Sequence, residues 1–311
     1  MYNLLEATIV AKRIYFLLLI LVLSFVTACS KNEENSSENK NEESKDESLD
    51  INGIVYFENE LYMATNKRLN VYRNQTWENV TGESIQYSAI QSLTNGLMIS
   101  GTKEKKPIGI TKLQISDLTT KPIAFDEKAS FHFMASDLTG SHLYILQDAM
   151  NEETLEYGLH YSQDGGKTWN QSKLEGLNSN SLGMISVHPS NGHIMAMATQ
   201  DGVFLSNDYG NTFAQIISNE MVTAISMGKN EIYYSTVNER EEKVYLKKFE
   251  FATNRVEVLN IPHLDFYNPI TYIAVNVENP SELSFSTYKD DIYHSNDMGS
   301  NWNQLLFQGD F

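Results

Sequence analysis

The sequence predicts an all-β fold of six four-stranded sheets set radially, a β-propeller, and two observations carry that expectation. An eight-residue spelling occurs three times, as SQDGGKTW (residues 162–169), SNDYGNTF (206–213) and SNDMGSNW (295–302), each time between short strand-like runs. Its closing aromatic falls at Trp169, Phe213 and Trp302, gaps of 44 and 89, so the second gap holds one silent unit near Val256. Stepping back from Trp169 at the same period reaches Pro122 and then Trp77, which gives intervals of 45, 47, 44, 43 and 46. A period of that length with several short strands per unit is the mark of propeller blades. Seven blades remain the alternative if a diverged unit lies in a long loop.

The repeated spelling reads as a hairpin turn with a plug. An Asp in the third place (Asp164, Asp208, Asp297) accepts hydrogen bonds from its own turn, and a Gly in the fifth (Gly166, Gly210, Gly299) supplies a left-handed conformation. The Ser in the first place (Ser162, Ser206, Ser295) opens the turn, and the aromatic packs between neighbouring sheets. These residues resemble the Asp box, or BNR repeat, of sialidases, sortilin-type receptors and other propellers, where the box is structural and lies away from the ligand face. A wider resemblance, over about residues 51–308, is to exported bacterial glycosyl-hydrolase-like propellers, clearest in GLHYSQDGGKTW and VHPSNGHIMAMATQDGVFLSNDYGNTF.

Taken in order, the chain opens with an export signal over residues 1–28. Lys12 and Arg13 precede a 13-residue apolar run, 14–26, too short to cross a bilayer and right for a signal-peptide core. The segment ends Val-Thr-Ala before Cys29, the only cysteine of the chain, which resembles a bacterial lipobox. That resemblance implies lipidation of Cys29 and anchorage to a bilayer on the extracytoplasmic side. With one cysteine, no intrachain disulfide can form. Residues 31–50 carry eight acids and three lysines and one apolar side chain, Leu49, which reads as a disordered acidic tether from Cys29 to Asp50.

Residues 51–311 form the propeller. The leader contributes +1 and the tether −5 to a chain total of −17, which leaves −13 here. Such a surface disfavours nucleic acid. Blade one spans 53–80; blade two starts at Tyr87 and blade three at Ser130. Blade four is LGMISVHP, a two-residue hairpin expected at Asn191-Gly192, HIMAMAT and then the box; blades five and six start at Met221 and Ile270. No helix longer than a turn or two is expected.

In a propeller the first strand of each blade lines the channel. If the boxes mark the lower face, the loops between second and third strands and the starts of first strands lie on the upper one. The expected ligand site is therefore on the upper face, with His132, Asp137, Asp201 and Asp290 as its candidates. A sialidase is disfavoured: residues 51–311 carry four arginines, Arg68 and Arg73 in blade one and Arg240 and Arg255 in blade five, so three cannot cluster from separate blades. The glycosyl-hydrolase-like relatives begin with His-x-His-Gly, whereas this chain reads Asp50-Ile51-Asn52-Gly53. No Ser-His-Asp order with a nucleophile elbow, no phosphate loop and no Cys/His metal set is present, and His188 and His193 flank the expected hairpin turn at a spacing too wide to read as a zinc site. No metal and no cofactor are expected. The expectation is a non-catalytic propeller binding a protein or carbohydrate; the alternatives are a glycoside hydrolase, which needs two opposed carboxylates, and an inert scaffold. All three tryptophans stand at box positions, so tyrosines would have to stack on any sugar.

Overall fold

The computed structural model describes residues 49–80, 84–148, 154–179 and 181–311. The expected leader, Cys29 and the tether up to residue 48 lie outside the described residues. Within them the chain folds into six antiparallel sheets over residues 51–79, 85–124, 133–171, 185–218, 221–258 and 270–306, with no helix. Each sheet takes four consecutive strands, and blade two adds the two-residue strand Lys106–Pro107. The period read from the sequence is thus the blade repeat.

Apolar side chains fill the wedges between blades. One wedge joins Leu146, Leu159, Met197 and Phe204 of blades three and four, and another joins Tyr233, Leu246, Ile273 and Phe285 of blades five and six. Each fully buried side chain of this size contributes roughly 1.5–3 kcal/mol. Among the described residues no strand is exchanged across the ring, and blades one and six meet by side-chain packing and hydrogen bonds. At this seam the Trp77 indole N–H donates to the Leu305 carbonyl (2.9 Å) and Ile51 N–H donates to Asp290 Oδ1 (2.9 Å). The Tyr56 hydroxyl lies 2.7 Å from Ser284 Oγ and 2.9 Å from His294 Nδ1.

The three repeated turns are superimposable in their bonding. In the first, Ser162 Oγ donates to Asp164 Oδ1 (2.8 Å) and accepts from Gly166 N–H (2.8 Å), while Asp164 accepts from Thr168 N–H (2.9 Å) and Thr168 Oγ1 (2.7 Å). Thr212 and Asn301 repeat the last pair of bonds on Asp208 and Asp297. The fifth-place glycines have φ of 87°, 76° and 84°, and the fourth place is left-handed too, at Gly165, Tyr209 and Met298. Each glycine is pressed against the preceding blade: a Cβ on Gly166 would stand 2.7 Å from Ile123 Cγ2, and one on Gly210 2.6 Å from Leu159 Cδ2. The turns therefore fasten blade to blade as well as strand to strand.

Three expectations are corrected. Pro122 and Val256 sit on the outer strands of blades two and five as the period requires, but both are exposed and plug nothing. Phe125 packs at 5.5 Å against Trp169 in the first case, and the buried Leu259 lies under Gly299 in the second. The Asn191-Gly192 pair is not a two-residue hairpin, because Val187 pairs with Met195 and leaves residues 188–194 as a longer turn. His188 Nδ1 ties that turn by accepting from Ser190 and Asn191 N–H (3.1 Å each). Gly192 is required for space instead, since a Cβ there would lie 2.2 Å from the His142 ring. Two-residue turns with both residues left-handed do occur, at Glu58-Asn59, Asn74-Gln75 and Glu104-Lys105, where no glycine announced them.

Candidate functional site

The first strands of all six blades enclose a channel cavity of 340 Å³. Its upper end is framed by strand starts, Asn52, His132 and Tyr272 among them, and its lower end by Glu58, Lys229 and Glu278. Between the mouths the wall is uncharged, with Gln91, Ser92, Ser186 and Ser226 interspersed among apolar side chains. Ser186 Oγ is engaged by Met227 N–H (2.9 Å). Burial pushes the Tyr272 hydroxyl up to about 12, so it stays protonated.

The four candidate residues are not brought together. His132 is exposed at the upper channel mouth, immediately before the strand Phe133–Ser136. Asp201 is in the hairpin between the second and third strands of blade four, on the upper face as expected, where it accepts from Ser179 Oγ (2.7 Å). Asp137 is a correction. It follows the first strand of blade three, so it lies on the lower face with the boxes, and it is buried. Its Oδ2 is 2.6 Å from His142 Nδ1 and its Oδ1 accepts from Thr139 Oγ1 (2.9 Å), which makes it the support of its own turn. His142 stacks on Tyr209 at 5.8 Å, which stacks on Tyr161 at 5.0 Å.

Asp290 sits in the upper hairpin of blade six, and its carboxylate is occupied by the ring seam. Burial pushes its pKa up to about 6, opposed by the Ile51 N–H bond and reinforced by Asp50 and Asp291. Asp291 stands beside it in the same hairpin. It is 5% exposed, and its two oxygens accept from Asn268 Nδ2 (2.8 Å), Thr287 Oγ1 (3.0 Å), Gln304 Nε2 (3.2 Å) and Gln308 N–H (3.1 Å). One carboxylate thus gathers the connection between blades five and six, the blade-six hairpin and the C-terminal segment.

Few groups here are arranged for chemistry. Among the described residues two carboxylates are pushed upward by burial, Asp290 on the upper face and Glu231 at the lower turn of blade five. Asp164 and Asp297 go the other way, to about 2, held by Thr168 and Asn301 respectively. Ser284 and His294 are 3.2 Å apart, but Ser284 is fully buried at the seam and Tyr56 is their third partner. Burial also lowers the His294 pKa, so the imidazole is neutral. No group of three or more His, Cys, Asp or Glu side chains among the described residues is placed to hold a metal ion.

An all-β ring of six blades around a channel defines the class, a six-bladed β-propeller, and comparison with solved structures agrees. A xyloglucanase of glycoside hydrolase family 74 from Xanthomonas campestris superposes with a TM-score of 0.50 at 16% identity, covering 83% of this chain and 45% of that one. An ancestral enzyme of the same family gives 0.51 at 12% identity over 83% and 38%. A chain of a nidogen–laminin complex gives 0.55 at 10% identity over 79% and 92%. The chain therefore spans less than half the length of the two glycoside hydrolases. No protein-family model and no curated protein sequence matches it.

Proposed function

We propose that this chain is an exported lipoprotein, anchored through Cys29 and spaced from the bilayer by residues 30–50, whose propeller binds a protein or glycan partner without turning it over. The observation that carries the non-catalytic reading is the placement of its acids. A glycosidase sets a proton-donating carboxyl about 5–9.5 Å from a second carboxylate. Here the adjacent carboxylates Asp290 and Asp291 are engaged by the fold, the first by Ile51 N–H and the second by Asn268, Thr287, Gln304 and Gln308, and Glu231 stands on the opposite face of the ring. The Ser-x-Asp-x-Gly turns, with the bonding described above, support kinship with Asp-box propellers, among which sortilin-like members serve as binding modules. The fold is shared by chains that act on glycans and by a chain from a protein–protein complex.

Two measurements test this. Cys29→Ala should move the protein from the membrane to the soluble fraction; retention on membranes would refute the anchor. Incubation of the purified full chain with polysaccharides should release no reducing ends. Release abolished by changing one acid at a channel mouth, Glu58 or Glu278, would make it a glycoside hydrolase.

A further inference from the structure

Ten large apolar side chains are exposed among the described residues, and four of them, Tyr267, Tyr288, Phe307 and Phe311, belong to the segments that Asp290 and Asp291 tie together. Scattered single exposures need no explanation, whereas a cluster does. All four are on the upper face: Tyr267 in the connection into blade six, Tyr288 in its second hairpin, and the two phenylalanines after its last strand.

The two tyrosines are the most exposed of the ten, at 64% and 60%, yet their backbones are fixed. Tyr288 N–H donates to the Pro269 carbonyl (2.9 Å), and Lys289 N–H donates to Asn268 Oδ1 (2.7 Å). The same Asn268 side chain is buried and donates to Asp291 Oδ2 (2.8 Å). Tyr267 N–H donates to Asp265 Oδ1 (2.9 Å), and the Tyr267 ring meets Phe266 edge-on at 5.3 Å. Two solvent-facing rings are thus carried on loops locked by a buried carboxylate, and preorganisation of that kind lowers the cost of binding. Lys289 pairs with Asp265 at 3.4 Å, and Asp290, Asp291 and the exposed Asp310 leave the surroundings acidic. An aromatic surface set among carboxylates, on a protein of net charge −17, repels an anionic polymer or an anionic membrane and suits an uncharged ligand with flat C–H faces and many hydroxyls that carboxylates can accept from.

We propose that the Tyr267–Tyr288 platform on the upper face of blade six is the binding site for an uncharged or N-acetylated glycan chain, whose sugar rings stack on the two tyrosines while Lys289, Asp265 and their neighbours receive its hydroxyls. The proposal deepens the reading of the propeller as a binding module and rests on it. It places the ligand beside the seam rather than in the channel.

The test is affinity electrophoresis of the full chain in non-ionic detergent through gels holding xyloglucan, mixed-linkage β-glucan, mannan or glycol chitin. Retardation is expected in at least one of the four. Tyr267→Ser and Tyr288→Ser should each weaken it about five- to tenfold, as loss of an aromatic contact does, and the double variant should abolish it with unchanged melting temperature. Absence of retardation in all four gels overturns the glycan platform but leaves a protein partner for the propeller. Retardation untouched in the double variant and lost in Ser226→Trp, which fills the channel, moves the site to the channel and keeps glycan binding. Ring-dependent capture on anionic phosphatidylglycerol vesicles instead overturns the proposal in favour of a membrane surface.

Discussion

Asp290→Asn should stabilise the propeller at neutral pH and leave it unchanged in acid. Asp290 holds its proton up to about pH 6 in the fold, against an ordinary value of 3.8, because burial penalises the charged form and Asp50 and Asp291 add repulsion. A raised carboxyl binds its proton more tightly in the folded state, so its contribution is neutral below 3.8, turns unfavourable as pH rises through that window, and is fully unfavourable above 6. The gap of about two pH units corresponds to about 3 kcal/mol at 1.36 kcal/mol per unit; the side chain is only part-buried, and solvent screening reduces the net effect to about 1 kcal/mol. An asparagine in the same pose still accepts from Ile51 N–H, so the seam bond survives while the charge is removed. Urea denaturation of wild type and variant at pH 4 and pH 7.5 reads the difference directly: near zero at the lower pH, about 1 kcal/mol in favour of the variant at the higher, or about 2 °C in melting temperature for a domain of this size. A variant less stable than wild type at pH 7.5 would refute the account, since it would mean that the charge itself holds the seam.

Two further outcomes follow from side-chain surroundings. Gly166→Ala combines a left-handed φ of 87° with a Cβ 2.7 Å from Ile123, whereas at Gly165, with φ of 70°, the nearest atom to a Cβ is 3.5 Å away; Gly165→Ala should cost about 1–2 kcal/mol in denaturant titration and Gly166→Ala clearly more, and equal losses would refute the packing role. Asp291→Ala strips four donors of their shared acceptor inside the fold and should cost about 3–5 kcal/mol, measured as a lowered denaturation midpoint; a loss under 1 kcal/mol would mean that the blade-six segments hold together without it.

The blade count was legible because the repeated turn is a local chemical unit: Ser, Asp and Gly satisfy one another within five residues, so their spelling survives even where the aromatic changes. The unmarked units were placed by spacing alone, and spacing locates a strand without saying what faces inward. Pro122 and Val256 therefore fell on the right strands but not in the wedges, and Phe125 and Leu259 fill the space instead. Asp137 was assigned to the upper face because a strand end and a strand start read alike; the pairing of Ser136 with Leu143 settles its side. His142 and Asp137 meet across a turn whose length the pattern did not reveal. Tyr267 and Tyr288 were hidden for a related reason. An aromatic in a loop is spelled the same whether it plugs a wedge, as Trp302 does, or stands in solvent, and the difference is made by Asn268 and Asp291, which no short motif connects.

The seam also bears on how the chain could be rewired. Leu49 lies against Gly309, so the first and last described segments run side by side. A short peptide splicing them end to end would add a covalent connection at a seam held by packing and hydrogen bonds. A new opening at Asn219-Glu220, between blades four and five, would then create an equivalent gap elsewhere, and a permuted chain of this kind should close around the same core.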